Sequence, residues 1–175
     1  MNNRCDIKSI HDFLNELWDL AWNLLTEFDN RGLRVSDIRT SFNNHILIEG
    51  KFEKQRYPLP CIFLRDGGEI LVQLDKICVT IAIYTETVTA EFLRDLIRDL
   101  GNYIEIFGGR NFLQTFYHYD EALDVNEVFS RLMKSDETEV QISISVPHDE
   151  WIHIVDLYIK FLKMLKKHKV KRVQI

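Results

Sequence analysis

This sequence predicts an α+β fold in two layers, a mainly antiparallel sheet with helices packed on one face, and three observations carry that expectation. Two long segments, residues 7–30 and 148–167, repeat their apolar positions with the period of an α-helix. Between them, short segments alternate apolar and polar residues with period two, the pattern of strands covered on one side. Tight turns such as Asp66-Gly67-Gly68 join those strands where crossover helices would join parallel ones.

The first helix places Ile10, Phe13, Leu14, Leu17, Leu20, Ala21, Leu24, Leu25 and Phe28 at helical spacing. Asp6, or the pair Ser9 and Asp12, opens it, and Asn30 with Gly32 closes it. At about 100° per residue these positions, with Trp18 and Trp22 on the flank, cover an arc of roughly 200°, wider than a surface helix needs. Strands are expected over 46–52, 62–64, 70–74 and 77–83, with Asn43-Asn44 as a further, weaker turn. Thr89 caps a second helix over 90–100, stopped by Gly101-Asn102. Residues 103–107 and 112–119 read as strands around Gly108-Gly109, and Asp124 with Glu127 forms a capping box before a short helix through Met133. In the strand over 138–146, Val140, Ile142, Ile144 and Val146 face one way and Gln141, Ser143 and Ser145 the other. The last helix follows Pro147 with an apolar arc of about 180°, and its lysines gather at the end the helix dipole favours. Ile152 and Ile159 break its polar side.

This order of elements resembles the secretion-chaperone-like fold over residues 7–167, in which a helix, three antiparallel strands, a helix, two strands and a final helix build a small acidic protein. The resemblance implies a non-catalytic dimer that holds an extended peptide or another protein.

The 175 residues are 46% hydrophobic and 28% charged, with only 7 Gly and 3 Pro, a composition that excludes disordered and collagen-like classes. One α+β domain over 1–175 is expected, ending in a basic C-terminal tail at 168–175; no internal repeat or linker suggests a second. The longest greasy stretch, residues 77–84, is far short of the roughly 20 residues that cross a bilayer. The polar start and the interrupted apolar stretch after it lack a signal-peptide pattern, so the cytoplasm is the expected location and no membrane partner is expected. Four alanines among plentiful isoleucine and charged residues suggest a heat-adapted chain.

Net charge is −5, unevenly spread. From Asp156 to Ile175 seven bases face one acid, a net +6, which leaves −11 on the other 155 residues. An acidic body binds phosphate backbones poorly. Any anion-binding surface therefore falls on Lys163, Lys166, Lys167, Lys169, Lys171 and Arg172. No aromatic residue interleaves there to stack bases, so a solvated helix end explains the run as well.

Motifs that carry chemistry are sparse. Cys5, Cys61 and Cys78 form no Cys-x-x-Cys pair, and the last two sit in apolar strands as small hydrophobes. Glu150 and His153 have the helical Glu-x-x-His spacing of di-metal bundles but no second copy, while His148 and His153 stand about 140° apart around a helix. Asp149 and Glu150 offset the dipole of a first turn. His118, between Tyr117 and Tyr119 and near Asp120, could serve acid–base chemistry or end a half-exposed strand. The acids Asp120, Glu121, Asp124 and Glu127 suit a helix start better than a cation loop. Both Gly pairs lie between strands, outside any phosphate-cradle context, and no Gly-x-Ser-x-Gly elbow occurs. No catalytic, metal or cofactor site is assigned.

Trp18, Trp22, Ile152 and Ile159 are large apolar residues at the edges of helical stripes, and Trp is a frequent interface anchor. They are the candidate interface. The expected function is a non-enzymatic, cytoplasmic homodimer that binds another protein or a peptide in the manner of a chaperone or adaptor. The alternative is a nucleic-acid-associated protein using the basic end, and the third is a small hydrolase or metal-dependent enzyme built on His118, Glu150 or His153.

Overall fold

The apolar-periodic start of the chain forms helix α1 (Ile7–Asn30) in the computed structural model, which describes residues 7–43, 46–48, 51–53, 57–108, 115–119 and 124–173. Gly32 stops it in the left-handed conformation (φ 76°), where a side chain is disfavoured. The Leu33 N–H then bonds back to the Phe28 carbonyl at 2.9 Å, a Schellman closure. Ser9 and Asp12 lie inside the helix and so do not open it, and Asp6 falls outside the described residues.

Strand β1 (Val35–Asn43) follows, then the short strands β2 (Ile46–Ile48) and β3 (Lys51–Glu53). The alternation over 46–52 is therefore not one strand but the two arms of a separate antiparallel hairpin. β1 has no counterpart in the sequence prediction, because Ser36, Asp37, Arg39 and Thr40 interrupt its alternation as they do in edge strands. β4 (Tyr57–Leu64), β5 (Glu69–Val72) and β6 (Lys76–Tyr84) form the expected meander. Pro58 and Pro60 fall where β4 pairs with β1 alone, since β5 reaches only Cys61 to Phe63.

Thr89 caps α2 (Ala90–Leu100), its hydroxyl accepting the Phe92 N–H at 3.1 Å. After it come β7 (Ile104–Gly108), β8 (Thr115–His118) and α3 (Val125–Lys134). Asp124 accepts the Asn126 N–H as a cap, while Glu127 pairs with Arg131 one turn on, so the capping box closes on one side only. β9 (Glu139–Pro147) leads through a single 3₁₀ turn, residues 148–150, into α4 (Trp151–Lys167).

The seven long strands form one antiparallel sheet in the order β1-β4-β5-β6-β9-β7-β8. Ile77, Val79, Ile81 and Ile83 of β6 and Val140, Ile142, Ile144 and Val146 of β9 are all buried, in one cluster with Leu24 and Phe28 of α1, Phe92 and Leu96 of α2, and Tyr158 and Phe161 of α4. Full burial of each such side chain contributes about 1.5–3 kcal/mol. Gln141 and Ser143, expected on the other side of β9, lie on the opposite face, where Glu69, Thr80, Ser143, Glu105 and His118 form one register row across five strands. The seven-stranded sheet and α3 go beyond the three-plus-two-strand plan of the secretion-chaperone-like fold. No helix among the described residues is long and apolar enough to cross a membrane.

Candidate functional site

The candidate interface divides in two. On α1, Leu17, Ala21, Leu24 and Phe28 enter the core, Trp18 is partly buried, and Trp22 remains 56% exposed. The wide apolar arc of α1 thus exceeds what the core takes up. On α4, Ile159 packs against the core, whereas Ile152 is exposed. Phe28 meets Tyr158 edge-on at 5.9 Å and Arg31 pairs with Asp156, so α1 and α4 run antiparallel. Trp22 and Ile152 lie six residues from that crossing in opposite directions, about 18 Å apart along the helices at 1.5 Å per residue. They do not form a single patch.

The basic C-terminal run divides as well. Instead of fraying into solvent, α4 ends in a second Schellman closure, with the Val170 N–H on the Leu165 carbonyl at 2.9 Å and Lys169 left-handed (φ 56°). Lys167 bonds the Asp95 carboxylate of α2, and His168 Nε2 lies 2.9 Å from the same oxygen. Those hydrogen bonds, Lys167 first, hold the Asp95 carboxyl down at about 2. In the amino-acid pattern this cluster shows only as an acid on the flank of an apolar helix. Lys163, Lys166, Lys169 and Lys171 stay exposed.

Beyond α4 the chain returns to the sheet. β5 pairs with β6 only at residues 77–80, and residues 170–173 take the next stretch of that edge. The Tyr84 N–H bonds the Lys171 carbonyl at 3.0 Å and the Val173 N–H bonds the Ala82 carbonyl at 2.9 Å. Val170 and Val173 are buried, so residues 170–173 of the basic tail expected over 168–175 pack on the sheet as a strap, while residues 174–175 lie outside the described residues. The β4–β5 turn stands beside the strap. A Cβ on Gly68 would clash with the Tyr158 hydroxyl oxygen, and that hydroxyl donates to Asp66 Oδ1 at 2.7 Å.

Strap, turn and the start of β1 enclose a groove of about 1090 Å³. Arg39 lies over the Phe63 ring at 5.0 Å and pairs with Asp37 at 2.6 Å; Arg172 reaches Asp66 at 3.7 Å. Arg65 and Lys171 complete a lining with four cations and two acids in a chain that is acidic overall. Of the basic run, only Lys171 and Arg172 reach this groove.

Among the described residues, His118, His148 and His153 each have a protein partner. His118 Nε2 lies 2.9 Å from Glu105 Oε1 and its ring stacks on Tyr119, while Asp120 lies outside the described residues. Glu105 was the missed partner, legible only as an acid set inside the apolar run of β7. His148 Nε2 donates to the Gln73 carbonyl at 2.9 Å, and His153 meets Tyr103 edge-on. Glu150 and His153 line a shallow depression with Tyr103 and Ile152. Among the described residues no three His, Cys, Asp or Glu side chains are grouped to hold a metal ion. Cys61 and Cys78 are buried as expected; burial, then the neighbouring Glu69 charge, pushes the Cys61 thiol up to about 12, and burial raises Cys78. Thiols so held are poor nucleophiles.

Comparison with known proteins agrees with the fold. The chain is similar to a solved structure described as a conserved hypothetical protein, Pfu-178653-001, from Pyrococcus furiosus, at 26% identity and a TM-score of 0.78, covering 94% of this chain and 99% of the other. No curated protein matches it. The model of a family described as protein of unknown function, DUF3201, matches residues 12–154, from the first turns of α1 across every strand to the start of α4, and the chain belongs to that family.

Proposed function

We propose that this chain is a non-enzymatic, cytoplasmic, protein-binding homodimer, chaperone- or adaptor-like, in which two copies meet along the α1 flank. The exposure of Trp22, 56% in the middle of a long helix and beside the partly buried Trp18, supports this reading. A large aromatic that its own core leaves in water is the kind of residue that anchors an interface. The apolar excess of α1 is continuous with the core stripe, so docking a second α1 there would extend packing that already exists. Ile152, on the other side of the crossing, is left for a different partner.

The solution mass of the full chain tests this. Twice the 20.8 kDa chain mass is expected, falling to one chain mass in Trp22→Glu with the fold unchanged by circular dichroism. A wild-type chain that stays monomeric, or a Trp22→Glu variant that stays dimeric, overturns it.

A further inference from the structure

We infer that the groove between the C-terminal strap and the β4–β5 turn binds an extended acidic segment of a partner protein. Three separate parts of the chain bring cations to it: Arg39 from β1, Arg65 from the turn, and Lys171 with Arg172 from the strap. Arg39 and Arg172 already face Asp37 and Asp66. Arg65 and Lys171 are exposed and, among the described residues, have no acid paired to them. The surface thus carries positive charge on a chain of net −5, and complementary charge is what selects and orients a partner.

The size and lining favour a peptide. At about 1090 Å³ and partly open to solvent, the groove stands at the top of the 300–1,000 Å³ range of small-molecule pockets and has room for an extended segment. Phe63, Leu64 and Val173 give it apolar walls for the stems of side chains. Asp37 and Asp66 stand among the cations. They can accept hydrogen bonds from peptide N–H groups, donors that a phosphate backbone does not offer, while guanidinium groups pair with carboxylates in a planar, two-point fashion. A glutamate- or aspartate-rich segment satisfies both kinds of lining at once.

This extends the protein-binding reading to a second surface, and the two fail separately: Trp22→Glu reads out in solution mass, the groove in peptide affinity. The experiment is fluorescence anisotropy of a labelled oligoglutamate peptide, with oligoglutamine as its neutral counterpart, titrated with the full chain. Oligoglutamate should bind and oligoglutamine should not, with affinity falling as salt is raised. Arg65→Glu combined with Lys171→Glu should weaken binding about tenfold or more. Lys163→Glu with Lys166→Glu, the same charge change on the outer face of α4, should leave it within about twofold, since exposed charges beyond a Debye length are screened. Equal binding of both peptides, equal loss in the α4 variant, or displacement of oligoglutamate by single-stranded DNA at lower concentration than by unlabelled oligoglutamate would each overturn the inference.

Discussion

Helices α1 and α4 lie side by side, run antiparallel and stop with the same backbone closure, yet the chain holds them differently. After Gly32, α1 hands the chain to the edge strand β1, and its outer side is tied by the exposed Arg31–Asp156 pair. After Lys169, α4 hands the chain back to the middle of the sheet. Its last turn is bonded to Asp95, Tyr158 to Asp66, and Arg172 reaches the same Asp66. Helix α1 therefore keeps apolar surface to spare, and α4, whose basic end looked spare, has committed part of it. The lesson is that surplus has to be judged after the chain has folded back on itself.

The largest effect is expected where α4 leans on the β4–β5 turn. A methyl group at Gly68 would displace the Tyr158 hydroxyl from Asp66. Tyr158 is fully buried, so overpacking of this kind should cost about 1–3 kcal/mol in denaturant unfolding of Gly68→Ala. Tyr158→Phe removes the oxygen that the new methyl would strike. The double variant should therefore lose less than the two single losses added together. Strict additivity would show that the turn and α4 are not coupled through this contact.

The next effect separates the two helices by pH. The Asp95 carboxyl is held at about 2, below its ordinary 3.8, chiefly by the hydrogen bond from Lys167 and then by His168. Between those values the unfolded chain binds a proton that the native chain does not, so stability rises with pH across that window. The contribution is present above the ordinary value and is lost as pH falls through about 2. Asp95→Asn should be less stable than wild type at neutral pH, with the gap closing in acid. A gap that stays constant with pH would mean the carboxylate does not tie α4 to α2 through its charge.

The parts of this fold that repeat were legible in the sequence, and the parts that depend on return contacts were not. Helices α1 and α2 and strands β6 and β9 announce themselves because many apolar side chains in register each contribute a similar burial energy. The edge strand β1 carries Asp37 and Arg39, the residues that keep an edge from aggregating and that also break its period. The strap is four residues long and is held by pairing with β6, information that no local spacing contains. The same holds for the candidate site. Trp22 was visible as an excess on one helix, whereas Arg39, Arg65 and Lys171 come from distant segments and share a groove only once the sheet is built.

The smallest effect turns on the closures themselves, which differ by one residue type. Gly32 takes the left-handed position after α1 without a Cβ, and Lys169 takes it after α4 with one. Left-handed backbone costs an L-residue about 1 kcal/mol that glycine does not pay. Gly32→Ala should therefore destabilise the chain, and Lys169→Gly should stabilise it or leave it unchanged, since glycine also loses more freedom on folding. Thermal unfolding then shows a loss for Gly32→Ala and a gain or no change for Lys169→Gly if the closures are equivalent. If Lys169→Gly is clearly destabilising, the Lys169 side chain holds the strap in a way that the Gly32 closure never needs to, and the asymmetry between the helices extends to their caps.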